Sequence, residues 1–98
     1  MNFETKIREE ARLIILRALA AEVNNRLNSE LLRMSLDSFG ISRTRDWVHA
    51  ELGFLQDVGA LTLEERDTVR IAVLTQRGMN HVLRTIVIDG VKRPSIGG

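Results

Sequence analysis

Residues 59–78, with the sequence GALTLEERDTVRIAVLTQRG, constrain the fold more than any other stretch of this chain. Apolar residues alternate with polar ones over residues 61–63 and again over residues 69–73, which is typical of strands with one buried face. The charged sequence EERD between them predicts an exposed connection. Because a two-stranded hairpin is marginally stable alone, the rest of the chain must supply helices on which it packs.

Two helices joined by a tight turn are predicted just before the hairpin. Asn28 is a good N-cap for the first of them, and Gly40 suits the left-handed position after its last turn. Ser42 is predicted to cap the next helix, which ends at Gly59. Two helices joined by a short glycine-containing turn indicate a helix-turn-helix. The stripe predicted to be buried on the first of the two comprises Leu32, Leu36 and Phe39.

The N-terminal helix is predicted to begin after Asn2, to end near Asn24 and to have two apolar faces. A helix of this kind must be covered on both sides. One face includes Phe3, Ile7, Ile14, Ala18 and Ala21. The opposite face includes Leu16, Leu19, Ala20 and Val23. Burial within the domain and a homodimer interface through Leu16, Leu19 and Val23 are both consistent with the pattern.

A last helix, capped by Thr75, is predicted over the sequence QRGMNHVLRT, with Met79, Val82 and Leu83 in the core. Residues 1–85 are then expected to form the domain. Residues 86–98 are expected to form a short, extended, mobile and basic C-terminal tail, because proline, serine and glycine near its end disfavour regular pairing.

Composition argues against several classes of protein. The 98 residues include no cysteine, and the two histidines, His49 and His81, are far apart in sequence, so we expect neither a metal site nor a cofactor. No catalytic motif is present, and the adjacent carboxylate pairs point apart on a helix or a strand, so we expect no enzymatic activity. The apolar run LIILRALAA is too short to span a membrane, and we expect a cytoplasmic protein.

The order of helix, helix-turn-helix, hairpin and closing helix resembles a winged helix-turn-helix domain. The sequence VHAELGFLQDVGAL, followed by the hairpin and VLTQRG, resembles bacterial regulators of the MarR, PadR and ArsR kinds. The ending GVKRPSIGG is similar to the end of small ArsR-like proteins of Mu-like transposable phages. The resemblance implies a mainly α fold with a small β-hairpin wing, and a phage or prophage origin.

The resemblance to winged-helix regulators implies DNA binding, and with the second apolar face of the first helix we expect a transcriptional regulator that binds double-stranded DNA as a homodimer in the bacterial host cell. The third helix would enter the major groove with its N-terminal part, and the wing would contact the backbone. The residues expected to contact DNA are Ser42, Arg43, Thr44 and Arg45 on the helix and Arg66 and Arg70 on the wing.

A second class of function stays open, because the net charge of +1 is a weak footprint for a nucleic-acid binder. In this alternative the domain is an adaptor that binds a phage or host protein in replication, packaging or host takeover, and it does not bind DNA. Aromatic residues beside small ones would suit a protein interface. The face expected to make the contact comprises Trp47, Ala50, Gly53 and Phe54.

Overall fold

A computed structural model describes residues 2–95, which form four helices and a three-stranded antiparallel sheet. The predicted fold class and the order of the helices and hairpin are confirmed, with one strand more than the sequence predicts. In chain order the elements are α1 (Phe3–Ala20), β1 (Arg26–Asn28), α2 (Ser29–Ser38), α3 (Arg45–Asp57), β2 (Leu61–Arg66), β3 (Val69–Leu74) and α4 (Gln76–Val82).

The sheet has the strand order β1-β3-β2. Strands β2 and β3 form the predicted hairpin, with Leu61 opposite Leu74 and Arg66 opposite Val69. Pairing therefore continues through most of the charged sequence predicted to be the connection. The turn itself is only two residues long and begins at Asp67, whose φ is 54°. Strand β1 pairs with the other edge of β3 and is too short to show a strand period in the sequence.

Helix α1 begins as predicted, because the Asn2 side chain accepts a hydrogen bond from the Thr5 N–H at 2.8 Å. It ends at Ala20, four residues before the predicted end. Asn25, at a φ of 54°, donates from Nδ2 to the carbonyl oxygens of Leu19 at 3.2 Å and Glu22 at 3.1 Å. These bonds satisfy carbonyl groups at the helix end and turn the chain into β1.

The prediction that Leu16, Leu19 and Val23 form an accessible dimer interface on α1 is wrong. Leu16 and Leu19 are fully buried in the core of their own chain, whereas Val23 lies beyond the end of the helix and is 98% exposed. The face that carries Leu16 and Leu19 packs under the other helices, so it has no surface left for a second chain. The residues buried with them include Ile15, Leu32, Leu36, Leu52, Leu55 and Leu61.

The cap and the turn around α2 are confirmed. The Asn28 side chain accepts from the Leu31 N–H at 2.8 Å. After the helix, Gly40 has a φ of 86° and the Ile41 N–H donates to the Leu36 carbonyl at 3.0 Å, which is a Schellman motif. Phe39, predicted to be buried, is 67% exposed, because it occupies the C-cap position after the last helical residue.

At α4 the predicted cap is confirmed, since the Thr75 side chain accepts from the Gly78 N–H at 3.1 Å. Leu83, predicted to be in the core, is instead 61% exposed. His81 takes the buried position. Its Nδ1 accepts a hydrogen bond from the Ile88 N–H at 3.1 Å, and its Nε2 donates to the Lys92 carbonyl at 2.9 Å.

The segment after α4 packs on α1, so the domain boundary predicted at residue 85 is wrong for residues 86–95. Ile88, Val91 and Pro94 are buried, and the Lys92 N–H donates to the Glu9 carbonyl at 3.1 Å. The physical reason is that a few apolar side chains and the two bonds to His81 fix an extended segment that lacks regular secondary structure. The end of the predicted tail, residues 96–98, lies outside the described residues.

Candidate nucleic-acid interface

Helix α3 begins at Arg45, and its N-cap is Thr44. The Thr44 hydroxyl oxygen accepts a hydrogen bond from the Trp47 N–H at 3.2 Å. Ser42, predicted to be the cap, donates from its hydroxyl to the Asp37 carboxylate instead. The prediction is wrong by two residues because both hydroxyls precede the helix and only Thr44 stands directly before the first turn.

Arg43, predicted to face DNA, lies against α1. Its Nη2 is 3.3 Å from Glu4 Oε1, and its guanidinium is 5.3 Å from the centre of the Trp47 ring. The Trp47 Nε1–H also donates to Glu4, at 3.1 Å. This bond from Trp47, with the nearby Arg43 and Arg8 cations, lowers the pKa of Glu4. Arg43 is therefore held toward α1 in a partly exposed ion pair with Glu4, which also lies 3.6 Å from Arg8.

Arg45 and Arg70 meet at a cleft of about 230 Å³ between the start of α3 and the wing. Arg45 is exposed, and Arg70 is half-buried, with its Nε 3.5 Å from Glu65 Oε1. Arg66, at the end of β2, is exposed. The cleft also carries carboxylates, so its electrostatic character is mixed. Its lining residues are Arg45, Asp46, His49, Glu65, Asp67, Thr68, Val69 and Arg70.

Ser29 fixes the geometry of this cleft. It is the first residue of α2, is 2% exposed, and its Oγ accepts the Arg70 backbone N–H at 3.0 Å. The same oxygen lies 3.1 Å from His49 Nε2. One hydroxyl thus connects α2, α3 and the wing strand β3, which holds Arg45 and Arg70 at a set separation.

His49 also lines this cleft, and the sequence reasoning missed it. Partial burial, followed by the nearby Arg70 and Arg45 cations, lowers its pKa from 6.5. The ring is therefore biased toward the neutral form in the free protein. The available signal was its position four residues after Arg45, because residues at that spacing share a helix face.

The alternative protein-binding face is only partly exposed. The guanidinium of Arg12 covers Phe54 at 3.7 Å from the ring centre, and that of Arg8 lies 5.1 Å from the centre of the Trp47 ring. Both aromatic residues are thus covered by α1. Ala50 is exposed, and a Cβ added on Gly53 would have no neighbour within 4 Å outside its own helix.

Glu51, which the sequence reasoning also missed, connects α3 to α1. It is 2% exposed and pairs with Arg8, and its Oε1 accepts from Arg12 Nε at 2.7 Å. Arg12 also donates to the Gly90 carbonyl at 2.8 Å. The signal was a carboxylate within the inward stripe of α3, where an unpaired charge would be costly. Helix α1 and the C-terminal segment thereby fix the orientation of α3.

Within residues 2–95, no group of three or more His, Asp or Glu side chains is placed to hold a metal ion. No helix in this part of the chain combines the length and apolar character that a membrane crossing requires.

Comparison with solved structures identifies the class of fold. The chain aligns with hsRosR-S4 at a TM-score of 0.64 and 17% identity, over 81% of this chain and 73% of that one. It aligns with F93 from STIV, described as a winged-helix DNA-binding protein, at a TM-score of 0.59 and 27% identity, over 74% of this chain and 79% of that one. The predicted winged-helix fold is confirmed.

Comparison with protein sequences identifies the family. The chain is 34% identical over 86 residues to gp26 of Escherichia phage Mu, an uncharacterized protein, and the match covers 88% of each chain. It is 35% identical over 78 residues to an uncharacterized protein of Haemophilus influenzae, covering 79% of this chain and 76% of the other. The chain belongs to the family of phage Mu gp26. No protein-family model matches it, so the likeness to ArsR-like regulators stays a prediction.

Proposed function

We propose that this protein is a non-enzymatic regulator that binds double-stranded phage or prophage DNA in the bacterial cytoplasm. The observation that carries the proposal is the convergence of Arg45, His49 and Arg70 on one cleft between α3 and the wing, held by the Ser29 hydroxyl. In winged-helix complexes the start of this helix enters the major groove. F93, which shares the fold at 27% identity, is also described as a DNA-binding protein.

The roles within the site follow from exposure and pairing. Arg45 is exposed on the first turn of α3, where it could bridge two acceptors on a guanine edge. Arg70 and Arg66 on the wing would contact phosphates. The N–H groups in the first turn of α3, next to the Thr44 cap, would donate to a nearby phosphate. Arg43 contributes less in this proposal, because its guanidinium is held toward α1 by Glu4.

The test is fluorescence anisotropy of labelled DNA across a salt series. Arg45→Ala should weaken binding by about 1–3 kcal/mol at a specific site, whereas Arg70→Ala should weaken binding to all sequences and lower the salt slope by about 1. Arg43→Ala should cost less. Arg84→Ala, which removes an exposed arginine after α4, is the control for a simple loss of net charge.

A gain-of-function variant sharpens this test. Glu65 lies 3.5 Å from Arg70 and would face the same phosphate, so Glu65→Gln should strengthen binding and steepen the salt dependence. If the wild-type protein binds no DNA at low salt, the DNA-binding function is excluded. If Arg45→Ala binds as tightly as Arg84→Ala, the assigned face is wrong.

A second candidate is the protein-interaction adaptor, which two observations favour. Ala50 and Gly53 leave an open strip on the outside of α3 that another helix could approach closely. The wing also carries Glu64, Glu65 and Asp67 near its tip, where they would repel phosphates. Ala50→Arg discriminates between the candidates, because it adds a cation toward DNA but a steric clash toward a protein. Loss of a nuclease-resistant partner in a pull-down, with no DNA binding by the wild type, would favour the adaptor.

A further inference from the structure

The outer face of α1 combines an exposed aromatic side chain at one end with an unfilled apolar depression at the other. Phe3, in the first turn, is 77% exposed. Near the other end of the helix a depression of about 210 Å³ is lined by Ile14, Arg17, Ala18, Ser35 and Phe39. Phe3 and Ala18 are 15 residues apart, about 22 Å along the helix axis at roughly 1.5 Å per residue.

Phe39 lies between this depression and a larger one. The larger depression, of about 590 Å³, is lined partly by Phe3, Ile7, Phe39 and Ile41. Phe39 contributes to both and is 67% exposed. An exposed aromatic side chain beside two depressions with apolar residues in their lining is typical of an interaction site.

We propose that a second copy of this chain covers the face, with the two α1 helices antiparallel across a two-fold axis. In this arrangement Phe3 of each copy enters the depression beside Ile14 and Ala18 of the other. The two Phe39 side chains meet near the axis. A two-fold interface requires one surface that is complementary to itself, and a protruding aromatic and a matching depression on the same face satisfy that requirement.

The charges around the face favour a second copy over a strongly charged partner. Charged side chains of both signs line the larger depression: Lys6, Arg43 and Lys92 are basic, and Glu9 and Glu10 are acidic. The Lys92 ammonium is 3.2 Å from the Glu10 carboxylate. A lining of mixed sign can pair with its own copy in the antiparallel orientation, whereas a highly acidic or basic partner would meet repulsion.

This dimer surface belongs to the regulator proposed above, but its formation does not require DNA. Sedimentation equilibrium without DNA should show a wild-type dimer. The protein concentration is raised to about 100 µM, so that even a weak association is detected. Phe3→Glu and Ala18→Arg should each raise the dimer dissociation constant at least about thirtyfold, as expected for loss of an interface hot spot. Val23→Glu, at an exposed position beyond the helix, is the control and should stay dimeric.

Mixing the two variants tests the antiparallel geometry. A mixed dimer has one wild-type contact and one contact in which the introduced carboxylate faces the introduced guanidinium. Phe3→Glu and Ala18→Arg should therefore associate with each other better than either does with itself. Thermal melting of each variant alone checks that it is folded.

The outcomes of these experiments are separable. A monomeric wild type, or variants that dimerise as the wild type does, would overturn the proposal, and absence of mixed dimers would overturn the antiparallel arrangement. Arg45→Ala should remain dimeric, so failure of DNA binding and failure of the dimer are distinguishable.

Discussion

Replacing Glu51 by glutamine probes the contact that sets the orientation of α3. The carboxylate is 2% exposed and pairs with two arginines of α1, Arg8 and Arg12, the second at 2.7 Å. Glutamine keeps the size of the side chain and one carbonyl oxygen. It removes the negative charge and places an amide group that can only donate next to a guanidinium that also only donates.

The expected loss follows from how deeply each partner is buried. Removing one member of a buried ion pair costs about 3–5 kcal/mol. The Arg12 side chain is 13% exposed and loses its only carboxylate partner among the described residues, whereas Arg8 is 35% exposed and lies 3.6 Å from Glu4. Because water and Glu4 partly compensate Arg8, we expect Glu51→Gln to lower the free energy of unfolding by about 2–4 kcal/mol.

The assay is urea unfolding followed by far-ultraviolet circular dichroism, with Glu64→Gln as the matched control. Glu64 pairs with Arg26 on the sheet at 3.4 Å, and the two side chains are 50% and 44% exposed, so its loss should cost only about 0–1 kcal/mol. Equal destabilisation by the two variants would refute the claim that the Glu51 pair holds α3 on α1. Added salt should reduce the effect of Glu64→Gln more than that of Glu51→Gln.

Three further perturbations test other parts of the fold. Gly78→Ala should destabilise the domain by roughly 1–3 kcal/mol or more, because the new Cβ would lie 2.1 Å from the Ala60 carbonyl oxygen. Thermal melting measures the loss, and an unchanged melting temperature would contradict this contact. His81→Leu should lose the hydrogen bonds to the Lys92 carbonyl and from the Ile88 N–H. Limited proteolysis should therefore cut the chain after α4 faster than in the wild type. Equal rates would show that apolar packing alone holds the segment. The pKa of His49 is lowered in the folded state, so the folded protein binds a proton at His49 less readily than the unfolded chain does. The stability that His49 contributes is therefore present above pH 6.5 and declines as the pH falls toward the folded pKa. A phosphate in the cleft would oppose this shift, and DNA affinity should therefore rise as the pH falls in the wild type and not in His49→Gln.

Part of the candidate site follows directly from the sequence. Arg45 and Arg70 could be assigned because the start of α3 and the wing are local features with clear sequence patterns. Arg43 could not be separated from Arg45, because the residue that pairs with Arg43, Glu4, is 39 positions away. The position of His49 in the cleft depends on Ser29, 20 residues before it, and neither position shows a motif.

Elements whose cause is local can be predicted from the chain alone. The caps at Asn2, Asn28 and Thr75, the Schellman turn at Gly40 and the hairpin each depend on residues a few positions apart, so the pattern carries the information. The winged-helix order follows from them.

The choice of which apolar face of α1 is buried depends on tertiary packing. Leu16 and Leu19 are in the core and Phe3 is exposed, although both faces have helical spacing, because the later elements cover one face fully and the other only in part. The same holds for the residues after α4, where His81 and two backbone bonds fix a segment that composition alone describes as a tail. Contacts between residues distant in the chain depend on the joint packing of all the elements, and a local pattern does not encode them.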